Sequence, residues 1–531
     1  MRRSDQLFFG FFGAGLVAAA VSAGPTRVQI NTDANGDNIR GDAANEPSFA
    51  FNPLDPSIMV VGWRQFPTIN SNERFAGNAT TFDGGRTWFN HDTLAPPPGA
   101  GAGANQSDPV LAADRFGSFF YNSLIFRSTR DGQTSYRSDD DGLSWGTPNY
   151  ITKGFADKNW YAIDNTTAVG NHFCIWGNVD INFTRSFDRG VTWTNEQALG
   201  FGISSYVSVG PDGELFAGWW NHFEDQVEIR RSDNATNAGG VATFGPTTVL
   251  EFGEWPWLLP VNPAGGAGQL YVEVDHSDGP RRGWVYALSS AVRPGVDVCD
   301  VMFARSVDGG LTFSAPVRVN DDSDPDDYQW MAAMSVAPGG RIDAAWLDTR
   351  SDPNHLRSRL YYSYSYDGGV TWAENRPLSG AFDPTQGWPQ QNKIGDYFQS
   401  HSFGEAVNII YPATHNGEQD IFFIREFPIE LTVLPLVAGS RGIAVIDEAR
   451  PNDLAWLVGS LRGEGSTEIP GLALRVDLRN PQQLGGAQRT DATGSASWSL
   501  VVPPGSVGTE VWIQAVQFGN ASNVENRVVG Q

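Results

Sequence analysis

The sequence predicts an all-β chain of repeated antiparallel units, followed by a second all-β segment of different character. Three observations predict it. The pattern Ser/Thr-x-Asp-x-Gly-x-Thr/Ser-Trp/Phe occurs five times, as TFDGGRTW from Thr81, SDDDGLSW from Ser138, SFDRGVTW from Ser186, SVDGGLTF from Ser306 and SYDGGVTW from Ser365. Seven longer units of short extended segments can be drawn before Pro428, and self-similarity of this kind marks a repeat architecture. After Pro428 the pattern stops, and seven alternating segments separated by Gly, Pro and Asn follow, from ELTVLPL to NVENRVV.

In chain order, Arg2 and Arg3, the apolar run LFFGFFGAGLVAAAV and the small-residue end VSA form the three parts of a secretory leader, with cleavage expected after Ala23. No later run is long and apolar enough to span a membrane, so the mature chain is expected to be secreted, periplasmic or at the cell surface, and a monomer. A formal charge of −24 repels phosphate backbones and makes nucleic acid an unsuitable partner. Two cysteines, Cys174 and Cys299, make no disulfide framework; paired or buried as free thiols, they leave the fold to be held by its core.

Each unit begins with two strands, such as EPSFAFNPLDPSIMVVGW from Glu46, DPVLAADRFGSFFYNSLIF from Asp108, EWPWLLPVNPAGGAGQLYVEV from Glu254 and DYFQSHSFGEAVNIIYPAT from Asp396. The eight-residue pattern lies between the third and fourth strands. Its aspartate (Asp83, Asp140, Asp188, Asp308 and Asp367) can accept backbone N–H bonds inside a turn, its glycine supplies positive φ, and its Trp or Phe can enter the core. These aspartates are therefore structural. The fourth unit has a degraded copy, SDNATNAGGVATF, and the seventh has none.

The five copies resemble the Asp-box, or BNR, repeats of the sialidase superfamily and related β-propellers. The resemblance implies a β-propeller over residues 24–428, and the seventh unit lacks a fourth strand that the orphan segment TRVQIN could supply. A seven-bladed propeller closed by this strand is expected, with the six blades of sialidases as the alternative. Residues 429–531 are expected to form a β-sandwich accessory domain.

Strand parity places the repeat turns on one face of such a ring. The other face receives the acidic starts of first strands, Glu46, Asp108, Asp157, Glu254, Asp327 and Asp396, and the ends of second strands, Arg64, Arg127, Asp275, His276, Asp348 and Arg350. Three readings of this acidic mouth stand open: carboxylates that terminate strands, carboxylates that hydrolyse a glycosidic bond, and a binding platform where tryptophans stack on sugars. The sialidase resemblance implies Tyr397 as nucleophile, Glu254 as the glutamate that activates it and Asp108 as acid/base. It also implies Arg64 and Arg350 as carboxylate-binding arginines, with Arg281 or Arg282 as the third. Asp157, Asp348 and Asp396 would line the substrate site. An acidic mouth suits a neutral sugar or a cation better than an anion. The function expected is glycan binding or sialidase-type hydrolysis, with a noncatalytic extracellular scaffold as the alternative.

No cofactor is required by these motifs. The clusters DANGD (Asp33, Asp37) and DDSDPDD (Asp322, Asp324) could ligate Ca²⁺ or be solvated turns. No zinc-ligand spacing, Gly-x-Ser-x-Gly elbow or phosphate-binding glycine loop is present.

Overall fold

The computed structural model describes residues 27–531 apart from 102, 153, 155, 167–169, 404–405, 448, 451, 473, 492–493 and 518–519. The leader expected through Ala23 lies outside the described residues. The described chain is all-β but for one short 3₁₀ turn at Pro470–Leu472. No helix among these residues is long and apolar enough to cross a membrane.

The described residues between 27 and 426 form seven four-stranded antiparallel sheets. Their first strands are Ala43–Asn52, Asn105–Ala113, Trp160–Asp164, Ile203–Val209, Tyr271–Val274, Gln329–Val336 and Gln399–Phe403. Each first strand lies against the next sheet's first strand, and the seventh sheet lies against the first. The seventh sheet draws its fourth strand from the start of the chain: Arg27–Gln29 pairs antiparallel with Asp420–Glu426, with Val28 opposite Phe423. Sheets stacked face to face bury both sides of their inner strands, so Ala43–Asn52 is buried almost throughout and shows little polar–apolar alternation.

Four inner strands share an irregularity. Their pairing slips at Asn45/Ser48, Ser107/Val110, Ile203/Tyr206 and Trp330/Ala333. Inside each slip a non-glycine residue takes positive φ: Glu46 (51°), Asp108 (48°), Ser204 (52°) and Met331 (53°). Each such residue costs about 1–3 kcal/mol, which its surroundings must offset. Bulges re-aim side chains, and here Glu46 and Asp108 are both buried and both act on the Lys393 ammonium.

The repeat turns lock neighbouring sheets together. In the sixth sheet, Asp367 Oδ1 accepts bonds from Ser365 Oγ (2.8 Å) and the Thr371 N–H (2.9 Å), and Oδ2 accepts Thr371 Oγ1 (2.6 Å). Gly369, at φ 79°, faces Phe303 of the fifth sheet so closely that a Cβ would lie 2.1 Å from the ring. Trp372 meets the same phenylalanine edge-on at 5.2 Å. In the first sheet Gly85 and Trp88 make the corresponding contacts with Phe423 of the seventh. The degraded fourth copy keeps the device, with Asn234 Oδ1 accepting the Thr243 N–H at 2.8 Å.

The fifth unit departs from expectation. Glu254–Leu270 is not a strand and hairpin but an irregular loop, broken by Pro256, Pro260 and Pro263 and by close-packed glycines, and the first strand begins only at Tyr271. The register of the unit therefore shifts by one strand. Asp275, His276, Arg281 and Arg282 fall in the turn between its first and second strands, on the face of the repeat turns rather than the opposite one.

Beyond Phe427, a three-stranded sheet (Glu430–Val433, Arg441–Asp447, Ala496–Val501) shares a core with a sheet built on Leu454–Ser460 and Glu510–Gln517. Leu431, Ile446, Leu457, Trp498 and Ile513 fill it. The polar strand Glu464–Ile469 was not expected, because its alternation carries no apolar face. This segment meets the sheets through Arg341 Nη1, which donates to Asn520 Oδ1 at 2.7 Å, and through Arg425 and Asp477.

Candidate functional site

At the end of the ring opposite the repeat turns, the expected acidic mouth is a buried network of both charge signs. Glu46 pairs with Arg64 Nη2 at 2.9 Å and with Lys393 Nζ at 3.3 Å. Arg64 Nε also donates to Asn45 Oδ1 at 2.7 Å. Asp396 Oδ2 takes Lys393 Nζ at 2.6 Å and, from the third sheet, Lys158 Nζ, while its Oδ1 accepts the Gly266 N–H at 2.9 Å. Asp108 Oδ1 accepts Ser107 Oγ at 2.7 Å. Burial pushes the Lys393 ammonium down to about 7, partly offset by Glu46.

The loop of the fifth unit closes this end. Asn262 Nδ2 donates to the Gly395 carbonyl at 2.8 Å, and Asn262 Oδ1 accepts the Ile394 N–H at 3.0 Å. Beneath the charges lies a layer of rings from four sheets: Trp160 stands 4.6 Å from Tyr206, 5.7 Å from Tyr271 and 5.8 Å from Tyr397, centroid to centroid. Charge pairs, loop and rings together fill this end of the axis.

The residues proposed for hydrolysis are not assembled. Tyr397, 4% exposed, donates its hydroxyl to the Pro109 carbonyl at 2.8 Å, and burial holds its pKa well above the usual tyrosine range. Glu254 is exposed at the start of the capping loop, where its backbone bridges Val292, and no hydrogen bond joins it to Tyr397. Arg64 is 2% exposed and committed to Glu46. Arg350 is held in a separate cluster by Asp321 (2.5 Å), Asp348 (2.8 Å) and Asp322 (3.5 Å). Asp348 also accepts Trp346 Nε1 at 2.8 Å. Arg281 reaches the Gly340 carbonyl and Arg282 reaches Asp212, both among the turns of the other face. Asp157 accepts the side chain of Asn178 at 2.9 Å. Of the expected set, Arg64, Asp108, Asp396 and Tyr397 meet around the axis. Arg350, Asp348, Asp157 and Glu254 stand apart.

Lys158 and Lys393 were missed by sequence reasoning, yet a signal was present. The chain has only three lysines, Lys153, Lys158 and Lys393, and two of them stand one residue after, or three before, the acidic start of a first strand. A residue type so rare and so placed points to paired charge.

What this face does expose is aromatic. The capping loop presents Trp255 and Trp257 as a stacked pair, centroids 5.0 Å apart and planes 25° apart. Trp257 is 46% exposed, and Phe223, 59% exposed on the neighbouring loop of the fourth sheet, joins the pair through His222. Trp255 is fixed by Nε1 donating to the Gly268 carbonyl at 3.1 Å and by Gly266, where a Cβ would lie 2.8 Å from the indole. Glu254 stands beside this surface in sequence and is exposed with it.

Asp33 is occupied by its own loop, accepting the N–H groups of Asn35 (2.8 Å) and Asp37 (2.9 Å). Asp322 accepts Asn320 at 2.7 Å. Among the described residues, ligand atoms of Asp324, Asp327 and His355 lie within 4.8 Å of one another and could hold a cation together, although His355 Nδ1 is already 2.8 Å from Asp327. Cys174 and Cys299 are both free and buried.

No protein-family model matches the chain, and no curated protein matches it. Solved structures do. One is a protein of unknown function from Dyadobacter fermentans DSM 18053, with TM-score 0.41 and 14% identity over 76% of this chain and 98% of that one. The Hadza microbial sialidase Hz136 gives TM-score 0.38 and 14% identity over 72% and 66%. The NanB sialidase from Streptococcus pneumoniae gives 0.38 and 11% over 73% and 69%. All three TM-scores are below 0.5, and the functional reading rests on this chain's own geometry.

Proposed function

We propose that the chain is an exported seven-bladed β-propeller with a C-terminal β-sandwich, and that it binds glycans without hydrolysing them. The observation that carries this reading is the stacked pair of half-buried Trp255 and exposed Trp257, with exposed Phe223 alongside. Indole faces stack on the C–H faces of sugar rings, and the adjacent Glu254 can accept hydroxyl bonds at the edge. Prolines and close-packed glycines hold the loop, so little ordering entropy opposes binding. The commitment of Arg64 to Glu46 and of Tyr397 to a backbone carbonyl supports binding over sialidase chemistry, because neither group is free to meet a substrate.

The test is binding of the full chain to an array of neutral and sialylated glycans. Binding to neutral glycans that weakens about tenfold or more in Trp257→Ala, with the fold unchanged by circular dichroism, is the expected result. Unaltered binding in that variant, or none by the native chain, would remove the platform.

A further inference from the structure

On the face of the repeat turns the axis is open. A cavity of about 420 Å³ penetrates between the inner strands, bounded by Phe51, Trp160, Tyr206, Glu273, Gln399 and His401, with His276 also in its lining. Its floor is the underside of the aromatic layer, so it is separate from the buried charges at the other end. Gln399 is fixed through its Oε1, which accepts Ser48 Oγ at 2.8 Å and the Phe49 N–H at 2.9 Å. Ser208 Oγ, also in the lining, is buried without a hydrogen-bond partner.

The chemistry of this cavity is unlike that of the mouth. Glu273 enters it with a single hydrogen bond, from the Tyr206 hydroxyl, and among the described residues no lysine or arginine pairs with it. Among the described residues the lining contains no guanidinium or ammonium group. Aromatic faces with one carboxyl and no resident cation make a site that a positive ligand completes: the carboxylate supplies counter-charge and the ring faces supply cation–π attraction. An anionic sugar would meet Glu273 with nothing to offset it.

We propose that this axial cavity binds a small organic cation, a primary or quaternary ammonium compound, with Glu273 as its counter-charge. The site is independent of the tryptophan platform on the opposite face. Proton linkage follows from the groups that face it. Burial pushes the Glu273 carboxyl up to about 7, while burial lowers His276 and brings His401 down to about 4. Tyr161, Tyr206 and Tyr271 are pushed far above neutral by burial. Ionisation of the carboxyl as pH rises favours cation binding, loss of a proton from His276 acts in the same direction, and an ammonium ligand must displace the carboxyl proton.

The experiment is isothermal titration of the full chain with tetramethylammonium and n-butylammonium, and with tert-butanol as the neutral counterpart of the first. We expect saturable binding of at least one ammonium, about tenfold or more tighter at pH 8 than at pH 5, little response to tert-butanol, and loss of the cation preference in Glu273→Gln. Glycan-array binding should be unmoved by that substitution. The wild-type pH series keeps the test decisive if the variant does not fold. Equal affinity for cation and alcohol, affinity independent of pH, no binding of either ammonium, or undiminished cation preference in Glu273→Gln would each overturn the proposal.

Discussion

The two ends of the ring axis are built from the same strands and are chemically opposite. Toward the starts of the first strands, Glu46, Arg64, Lys158, Lys393 and Asp396 pair in a buried network under a capping loop. Toward their ends, Glu273 faces a cavity with Tyr206 as its one hydrogen-bond partner among the described residues. Carboxylates at an axis thus say little about chemistry until their partners are known. Where cations accompany them, the network seals the ring; where none does, a site is left.

The largest expected effect breaks the sealed end. Arg64→Ala leaves Glu46 buried beside Lys393 alone, and loss of one member of a buried pair should cost about 3–5 kcal/mol in denaturant unfolding. A cost near zero would mean that water reaches Glu46 and that the mouth is open.

The two ends should also give opposite pH slopes. The Lys393 ammonium is lowered in the fold from 10.5 to about 7, so between these values the unfolded chain holds the proton and the folded chain does not. Its contribution to stability rises with pH across that window. The Glu273 carboxyl is raised from 4.5 to about 7, so its contribution is fully present below 4.5 and is lost as pH rises through 7. Stability profiles of Lys393→Met and Glu273→Gln against the native chain should lose the rise and the fall respectively. A Glu273→Gln profile parallel to the native one from pH 4.5 to 7 would contradict the assignment.

A smaller effect belongs to the repeat turns. Asp367→Ala removes bonds to Ser365 and Thr371 and should cost about 1–2 kcal/mol, with glycan and ammonium binding retained in the folded protein. Loss of either ligand at full stability would place function in the turn. The smallest effect on stability is expected from Trp257→Ala, within about 0.5 kcal/mol because the ring is nearly half exposed, although glycan binding should fall.

The repeat units were legible because their residues act locally. The aspartate, hydroxyl and glycine of each copy close a turn whose bonds are all within a few positions in sequence, and Arg27–Gln29 could be assigned to the last sheet because that unit lacked a strand. The fifth unit was misread where local pattern and packing diverge: its Pro- and Gly-rich run reads as a hairpin but packs across the axis through Asn262. That slip carried Asp275, His276, Arg281 and Arg282 to the wrong face and hid the cavity that His276 helps line. Lys158 meets Asp396 from a sheet distant in the chain, a pairing that no local spacing encodes, whereas Lys393 stands only three residues before it.

The central claim is that the mouth is sealed and that this face binds glycans through its tryptophans rather than through a catalytic tyrosine. Its most direct test is turnover of an α-sialoside by the purified full chain, measured beside Tyr397→Phe and Trp257→Ala. The account predicts no turnover by any of the three, with neutral-glycan binding retained in Tyr397→Phe and weakened in Trp257→Ala. Sialoside hydrolysis by the native chain that vanishes in Tyr397→Phe would contradict it.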